Sequence, residues 1–455
     1  MNHIERFFAT IERRPVDRPA AWLGIPDAAA LPGLYDYFGV DNMKDLKARL
    51  GDDIYPVEMP YHSPTSNAIY AAFDFAKKKS DGKNEHRTLT APGFFEDYTD
   101  ASAVELFDWP DPEKYIDPEE CRKVVDDVPE GYAVLGVVWS AHFQDACSAF
   151  GMEDALIKMF TAPKLFKAVI DKITDFYLKA NEIFYKATQG KLHAVLIGND
   201  FGCQQGLMVG PEQLREFVFD GTRKLVAQAK RYGLKVIHHS CGSIHDIIPD
   251  LIEMGVDAIH PIQALAANME PERLKVDFGG RVSFCGGVDA QYLMIKGTPD
   301  DVREKVAYLK ALYPTGLILS PSHEAILIDT KPENVDALFD AVGCGTSRKR
   351  RYGSVIGISP DKLEEYKRLH AAVWPKVLDM IYKCNLRNYS IYYKDGLLFS
   401  YYEYVGTDYE ADMAKMASDP ETQRWWDVCM PCQKPLETRQ KGEWWADMEE
   451  VFHVD

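Results

Sequence analysis

Short apolar runs alternate with longer amphipathic stretches from residue 130 to residue 340, and no other feature restricts the fold of this chain as much. YAVLGVVW, HAVLIGND, KVIHHSC, DAIHPI, VSFCGG and GLILSPS read as strands, while PEQLREFVFDGTRKLVAQAKRYG, IHDIIPDLIEMG and PDDVREKVAYLKALYP read as helices. Strict alternation of the two predicts βαβ units with parallel strands. Enough units follow one another to predict a closed (β/α)8 TIM barrel, with less regular patterning over the first 130 residues. In such a barrel the polar residues just after each strand line the functional face. Here these are Trp139 to His142, Asn199 and Asp200, His239 to Cys241, His260, Cys285 to Asp289, and His323 with Glu324.

At 455 residues the chain is too long for one ordinary core, so a second domain is expected. The last barrel helix, ENVDALFDAV, runs into GCGTSRKRR, whose glycines and four basic residues, Arg348 to Arg351, read as a linker. An anion patch or nuclear address is the alternative for a basic run, but between two folded patterns a solvated linker is its ordinary fate. The boundaries that follow are 1–345 for the barrel, 346–351 for the linker and 352–455 for the second domain. There the pattern changes. YGSVIGI reads as a strand and PDKLEEYKRLHAAVWPKVLDMIYKC as a helix. RNYSIYY and LLFSYYEYV are strands around a KDG turn. YEADMAKMAS and PETQRWWDVCM are helical, and MEEVFHV is a final strand. The order β-α-β-β-α-β predicts a ferredoxin-like α+β unit of the dimeric α/β-barrel kind, its final strand long enough to pair across a dimer.

The formal charge of -18 argues against a nucleic-acid or anionic-membrane partner. No apolar run reaches membrane-spanning length, and MNHIERFFATIERR lacks the plan of a signal peptide. Nine scattered cysteines, an odd number, fit free thiols in a reducing cytoplasm better than a disulfide framework. A cytoplasmic protein is therefore expected. Cys429 and Cys432 form a CxxC without a thioredoxin-like βαβ context, which makes chance spacing the better reading.

Tyr366 and His370 sit four apart on a predicted helix and so share one face. The pairs Trp425-Trp426 and Trp444-Trp445 follow. An imidazole that titrates near neutrality can carry a proton to or from a sugar oxygen. A phenol can donate to a hydroxyl, and an indole face can lie against the C–H face of a sugar ring. Such a set can open and reclose a cyclic sugar, exchanging its anomers with no cofactor. A lone helix histidine and a tryptophan pair are also ordinary core residues.

In the barrel, His239 and Cys241 are one residue apart at a strand end, so both side chains can approach one metal, and imidazole with thiolate suits zinc. Cys285, His323 and Glu324 follow later strands and are expected to converge on the same mouth. Catalytic zinc keeps three protein ligands and one open position. The alternative is that His239 caps its strand and Cys241 packs.

EEYKRLHAAVWP, RNYSIYY, LLFSYYEY, QRWWD and WWADMEEVFHVD, in that order, closely resemble the L-rhamnose mutarotase family over residues 350 to 455. The resemblance implies a ferredoxin-like homodimer, with His370 as the acid/base and Tyr366 beside it. It implies that Trp425 and Trp426 bind a sugar, with Tyr389, Asp395 and Arg387 as further candidates in matched segments. RPVDRP, GNDFG, HHSCGSIHDIIPDLIEMGVDAIHPIQ, FCGGVDAQ and SPSHEAILIDTKPEN resemble the uroporphyrinogen decarboxylase superfamily over residues 1 to 345. Its decarboxylases carry an arginine-rich segment for the tetrapyrrole carboxylates. Here the stretch reads AAWLGIPDAAA, without arginine, so the clamp that bidentate guanidinium pairs would supply is missing. The other branch resembles corrinoid-dependent methyltransferases that bind zinc through His-x-Cys and a later cysteine. His239 and Cys241 match, the later cysteine departs, and His323 is the candidate replacement. A corrinoid on a separate partner protein is implied. Asp200 is expected to act as a general base or to bind a substrate hydroxyl. The fusion itself points the barrel toward a deoxy sugar or its methyl ether.

Overall fold

The apolar runs become parallel strands in the computed structural model, which describes residues 1–76, 90–344, 350–404 and 409–452. Two compact units are present, Met1–Cys344 and Gly345–Asp455. In the first, β1 (Ile54–Glu58), β2 (Ala133–Trp139), β3 (Ala194–Gly198), β4 (Lys235–His239), β5 (Ala258–Ile262), β6 (Ser283–Val288) and β7 (Leu317–Pro321) pair in sequence order as one parallel sheet. Residues 20–23 join its two edges. Leu319 N donates to Ala20 O, Trp22 N to Leu319 O, and Asp53 N to Ala21 O. The sheet thus curls back on itself into a barrel-like wall.

Alternation along the strands sorts side chains to two faces. Trp22, Ile54, Leu135, Val137, Leu196, Ile237, Ala258, Cys285 and Ile318 share one buried cluster. Burying each large apolar side chain there is worth about 1.5–3 kcal/mol. His239 follows Ile237 by two residues and His260 follows Ala258 by two, so the same period carries both imidazoles to the inner face at the strand ends. Cys285, expected at the mouth, is instead fully buried within β6. Its Sγ lies 3.8 Å from Ser320 Oγ, and burial raises its thiol to about 12. The apolar run VSFCGG continues as strand through Val288, so Cys285 falls inside the core. The RPVDRP segment is structural: Arg18 Nη1 lies 2.6 Å from Asp53 Oδ2, and Asp17 Oδ2 lies 2.9 Å from Arg6 Nη2.

Helix α1 (His142–Phe150) follows β2 and packs on α2 (Pro163–Ala187). Between them Tyr177 donates to Asp145 Oδ2 at 2.6 Å, and burial pushes the Asp145 carboxyl up to about 7.

The second unit is an antiparallel sheet of β8 (Arg350–Ile358), β9 (Leu386–Lys394), β10 (Leu397–Tyr404) and β11 (Gln433–Lys434), ordered β9-β10-β8-β11, with β12 (Ala446–Met448) also on β8. Arg350 and Arg351, expected in the linker, already belong to β8 and pair with Tyr404 and Glu403. Residues 345–349 lie outside the described residues. The single helix expected over 360–384 is two, α3 (Leu363–His370) and α4 (Pro375–Lys383). Proline at 375 has no N–H to continue the ladder and forces Trp374 into an extended conformation, ψ 133°. Helices α5 (Tyr409–Ser418) and α6 (Pro420–Cys429) follow β10. The last strand falls earlier than expected, at Ala446–Met448, and Val451 and Phe452 beyond it are 88% and 81% exposed. Residues 453 and 454 of the expected strand lie outside the described residues. Among the described residues no helix is long and apolar enough to cross a membrane.

Candidate active sites

In the first unit the mouth is built on His239 at the end of β4. Gly198 at the end of β3 makes room for it, because a Cβ there would lie 2.5 Å from His239 Cβ. His239 Nε2 is 3.3 Å from Asp200 Oδ1 and 3.5 Å from Cys241 Sγ. On the other side of the ring, His239 Nδ1 is 3.0 Å from His260 Nδ1 and 3.3 Å from Glu324 Oε2. Asp200 is further fixed by Cys241 N at 2.8 Å and by Gln144 Nε2 at 3.0 Å. His323 is partly exposed, its Nδ1 accepts from Ala325 N at 3.0 Å, and its side chain hydrogen-bonds Cys241.

These groups set one another's charge. Burial opposes it, yet Glu324 and Asp200 raise His239 well above the ordinary imidazole value. Asp200, against its own burial, is lowered by His239 to about 2. Cys241 is disfavoured by burial but brought below the ordinary thiol value by hydrogen bonds with His239 and His323. His260 is pushed well below the imidazole range by burial and by its neighbour His239. A neutral His260 therefore accepts from His239 Nδ1–H, which turns His239 Nε2 toward Asp200 and Cys241.

Two donor triads result, Asp200–His239–Cys241 and His239–His260–Glu324, each with ligand atoms within 4.8 Å of one another. Glu324 Oε2 and His260 Nε2 are buried without hydrogen-bond partners. The first triad has the donor chemistry of a zinc site, and its histidine is oriented from behind as metal-bound imidazoles usually are. His260 and Glu324, expected on this face, become direct neighbours of His239 only in the folded chain, where the register β4–β5 pairs His239 with His260.

The wall beside this cluster is strained. Trp139 and Ser140 have φ of 50° and 55°, a left-handed conformation that costs a non-glycine residue roughly 1–2 kcal/mol. It places the Trp139 ring edge-on to His239 at 5.7 Å between centroids. The arginine-free stretch is close by: Ile25 N donates to Glu324 O at 2.6 Å. Gly24, at φ +91°, permits this approach, because a Cβ would lie 2.2 Å from Glu324 O.

In the second unit, the four-residue spacing brings Tyr366 and His370 together with rings stacked at 4.0 Å. Trp425 on α6 meets His370 edge-on at 5.4 Å, and Trp374 meets Trp425 at 5.3 Å. His370 Nδ1 is 3.0 Å from Tyr366 O. A carbonyl only accepts, so Nδ1 carries the proton and Nε2 holds the lone pair. Burial lowers the His370 pKa, which keeps the ring neutral. Tyr366 is buried, and burial raises its phenol well above the ordinary value, so it remains an O–H donor.

A group not singled out by the sequence completes this cluster. Gln433 Nε2 is 3.5 Å from the Tyr366 hydroxyl, and Gln433 Oε1 accepts from Trp444 Nε1 at 2.6 Å. No spacing signal marks Gln433, which arrives through the short strand β11. Trp426, next along α6, is 38% exposed where Trp425 is 6% exposed, so adjacent positions point to different faces. Tyr389 sits in an irregularity of β9, where Asn388 has φ 49°, and its ring meets Tyr402 edge-on at 5.4 Å. Arg387 is held over the Tyr382 ring at 3.6 Å, and Asp395 lies at the exposed hairpin tip. Cys429 and Cys432 are buried, and burial raises Cys429 to about 12, so neither is a ready thiolate.

The family model for uroporphyrinogen decarboxylase matches residues 88–343, and that for L-rhamnose mutarotase matches residues 351–454. An L-rhamnose mutarotase of Oceanobacillus iheyensis is 30% identical over 106 residues, 23% of this chain and 99% of that protein. One of Bacillus subtilis is 32% identical over 108 residues, again 23% of this chain and 99% of that protein. A methyltransferase from Methanosarcina mazei superposes with a TM-score of 0.54 at 16% identity, covering 75% of this chain and 98% of that one. That likeness is one of fold.

Proposed function

Because the chain belongs to the uroporphyrinogen decarboxylase family over residues 88–343 and to the L-rhamnose mutarotase family over residues 351–454, we propose that it joins two enzymes. The second unit interconverts the anomers of L-rhamnose or a related 6-deoxy sugar. The first is a methyltransferase-like (β/α)8 TIM barrel spanning residues 1–345.

For the second unit the carrying observation is the fixed tautomer of His370. Its Nε2 lone pair takes the proton of the anomeric hydroxyl, and the Tyr366 O–H, oriented by Gln433, donates toward the sugar oxygens. Trp425 supplies an apolar wall, with Trp426 and Tyr389 at its rim. His370 passes that proton to the ring oxygen as the C1–O5 bond breaks, the aldehyde turns, and the steps reverse on its other face, His370 taking the proton from the ring-forming hydroxyl and returning it to the new anomeric oxygen. This exchange needs no cofactor. The ferredoxin-like arrangement and a homodimer through the exposed Val451–Phe452 end complete the reading. Exchange NMR between the two anomeric protons of L-rhamnose tests it: wild-type chain accelerates the exchange, and His370→Ala loses about 100-fold or more.

In the barrel, His239 and Cys241 would hold a zinc ion, with Asp200 as the third donor and His323 as the alternative one. Bound there, zinc would lower the pKa of a substrate thiol or hydroxyl and ready it for methyl transfer, with a corrinoid on a separate partner protein as the methyl carrier. His260 orients His239 and Gln144 orients Asp200, so the donors are held before any ligand arrives. Tetrapyrrole decarboxylation is disfavoured by the arginine-free stretch beside Glu324. Elemental analysis is the test: about one zinc per chain is expected, and its retention after joint His239→Ala and Cys241→Ser substitution would contradict the assignment.

A further inference from the structure

The mouth of the first unit carries more polar groups than a metal would use. His260 Nε2 and Trp22 Nε1 are buried without a hydrogen-bond partner, and Glu324 Oε2, buried beside them, makes no hydrogen bond and has only the ion-pair contacts to His239 and His323. Trp22 packs on His260 at 5.3 Å between ring centroids, and His260 and Glu324 each bring a ligand atom within 4.8 Å of the other. Whichever imidazole donates across the 3.0 Å His239–His260 contact, His260 Nε2 stays free. A fully buried donor or acceptor left unpaired costs more than a net hydrogen bond returns, so such a set calls for a ligand that pairs it.

The charge of that ligand is restricted. The ion-pair contacts of Asp200 and Glu324 go only to imidazoles, His239 and His323. Among the described residues no lysine or arginine pairs with either carboxylate. The neighbouring stretch AAWLGIPDAAA has no cation to offer. A carboxylate or phosphate entering here would find the imidazoles already engaged by Asp200 and Glu324, and no guanidinium or ammonium left to pair with it. A hydroxyl can donate to Glu324 Oε2, and another can accept from Trp22 Nε1–H. Trp139, held edge-on to His239 by strained backbone, adds an apolar indole of the kind that contacts sugar C–H groups.

We propose that this mouth takes a neutral polyhydroxylated ligand of the sugar class, with Glu324, His260 and Trp22 pairing its hydroxyls and Trp139 against its apolar face. The proposal rests on the reading of the first unit as an enzyme whose active face is this mouth.

Calorimetric titration of the zinc-loaded full chain tests it, in a Trp425→Ala background so that the heat reports the first unit. The probes are neutral methyl glycosides (α-L-rhamnoside, α-L-fucoside, β-D-xyloside) and methyl glucuronide as the charged counterpart. At least one neutral glycoside is expected to bind at least tenfold more tightly than the glucuronide. Glu324→Gln and Trp139→Ala are each expected to weaken it at least tenfold, and Trp139→Phe to retain binding. Absence of binding by every neutral glycoside, a preference for the glucuronide, or binding unmoved by Glu324→Gln and Trp139→Ala in variants that melt like their parent would overturn it. Anomer exchange by the wild-type chain is measured separately, so failure of the sugar site and failure of the mutarotase reading are distinguishable.

Discussion

A backbone contact decides what His370 can do. The Nδ1–H donated to Tyr366 O leaves Nε2 as the base, and burial keeps that base unprotonated. The pH dependence follows with a definite sign: a lowered pKa means anomer exchange stays level through neutrality and falls only on acidification below the ordinary histidine value of about 6.5. A pH–rate profile by exchange NMR checks this, and a fall beginning at higher pH would contradict it. Asp145 makes the opposite case. Its carboxyl is raised to about 7 in the folded chain, so the folded state binds a proton more tightly than the unfolded one. Stability is therefore greatest below the unfolded carboxyl value and declines as pH rises from about 4 to about 7. Asp145→Asn, which can still accept from Tyr177, is expected to flatten that decline in urea titrations across this range.

Strand ends and helix breaks position these groups, and their legibility differs for physical reasons. His239, Cys241 and Asp200 were readable because a strand's period and its terminating polar residues are local properties. Tyr366 and His370 were readable because helical spacing is local too. Cys285 was misplaced because a cysteine in an apolar run carries no mark of where the strand ends. His260 and Glu324 as partners of His239, and Gln433 as partner of Tyr366, depend on pairing between distant segments, which no window of sequence contains. The division into α3 and α4 was signalled by Pro375, whose effect on its preceding residue outweighs the continuous amphipathic pattern. Gly198 gives an element-scale prediction. Alanine there collides with His239 Cβ at the β3–β4 contact, costing about 1–3 kcal/mol of stability in chemical denaturation and reducing zinc retention in the elemental assay.

Over the whole molecule, two family assignments meet in one chain. The alternation of strands and helices made the first unit's architecture legible over 130–340. The link that residues 20–23 make between the two sheet edges was not, because a short segment acquires its bridging role only between β1 and β7. The charge pattern has a consequence at this scale as well. A chain of formal charge -18, with carboxylates at its barrel mouth, suits neutral substrates better than anionic ones. The mutarotase assignment and the sugar-class ligand of the barrel therefore converge on one kind of molecule.

The central claim is that the second unit exchanges sugar anomers through His370. The most direct test is two-dimensional exchange NMR of the α and β anomeric protons of L-rhamnose with catalytic amounts of the full chain. The account predicts exchange well above the uncatalysed rate for the wild type and a loss of about 100-fold or more for a folded His370→Ala variant. Exchange at the uncatalysed rate with wild-type chain, or exchange undiminished in His370→Ala, would contradict it.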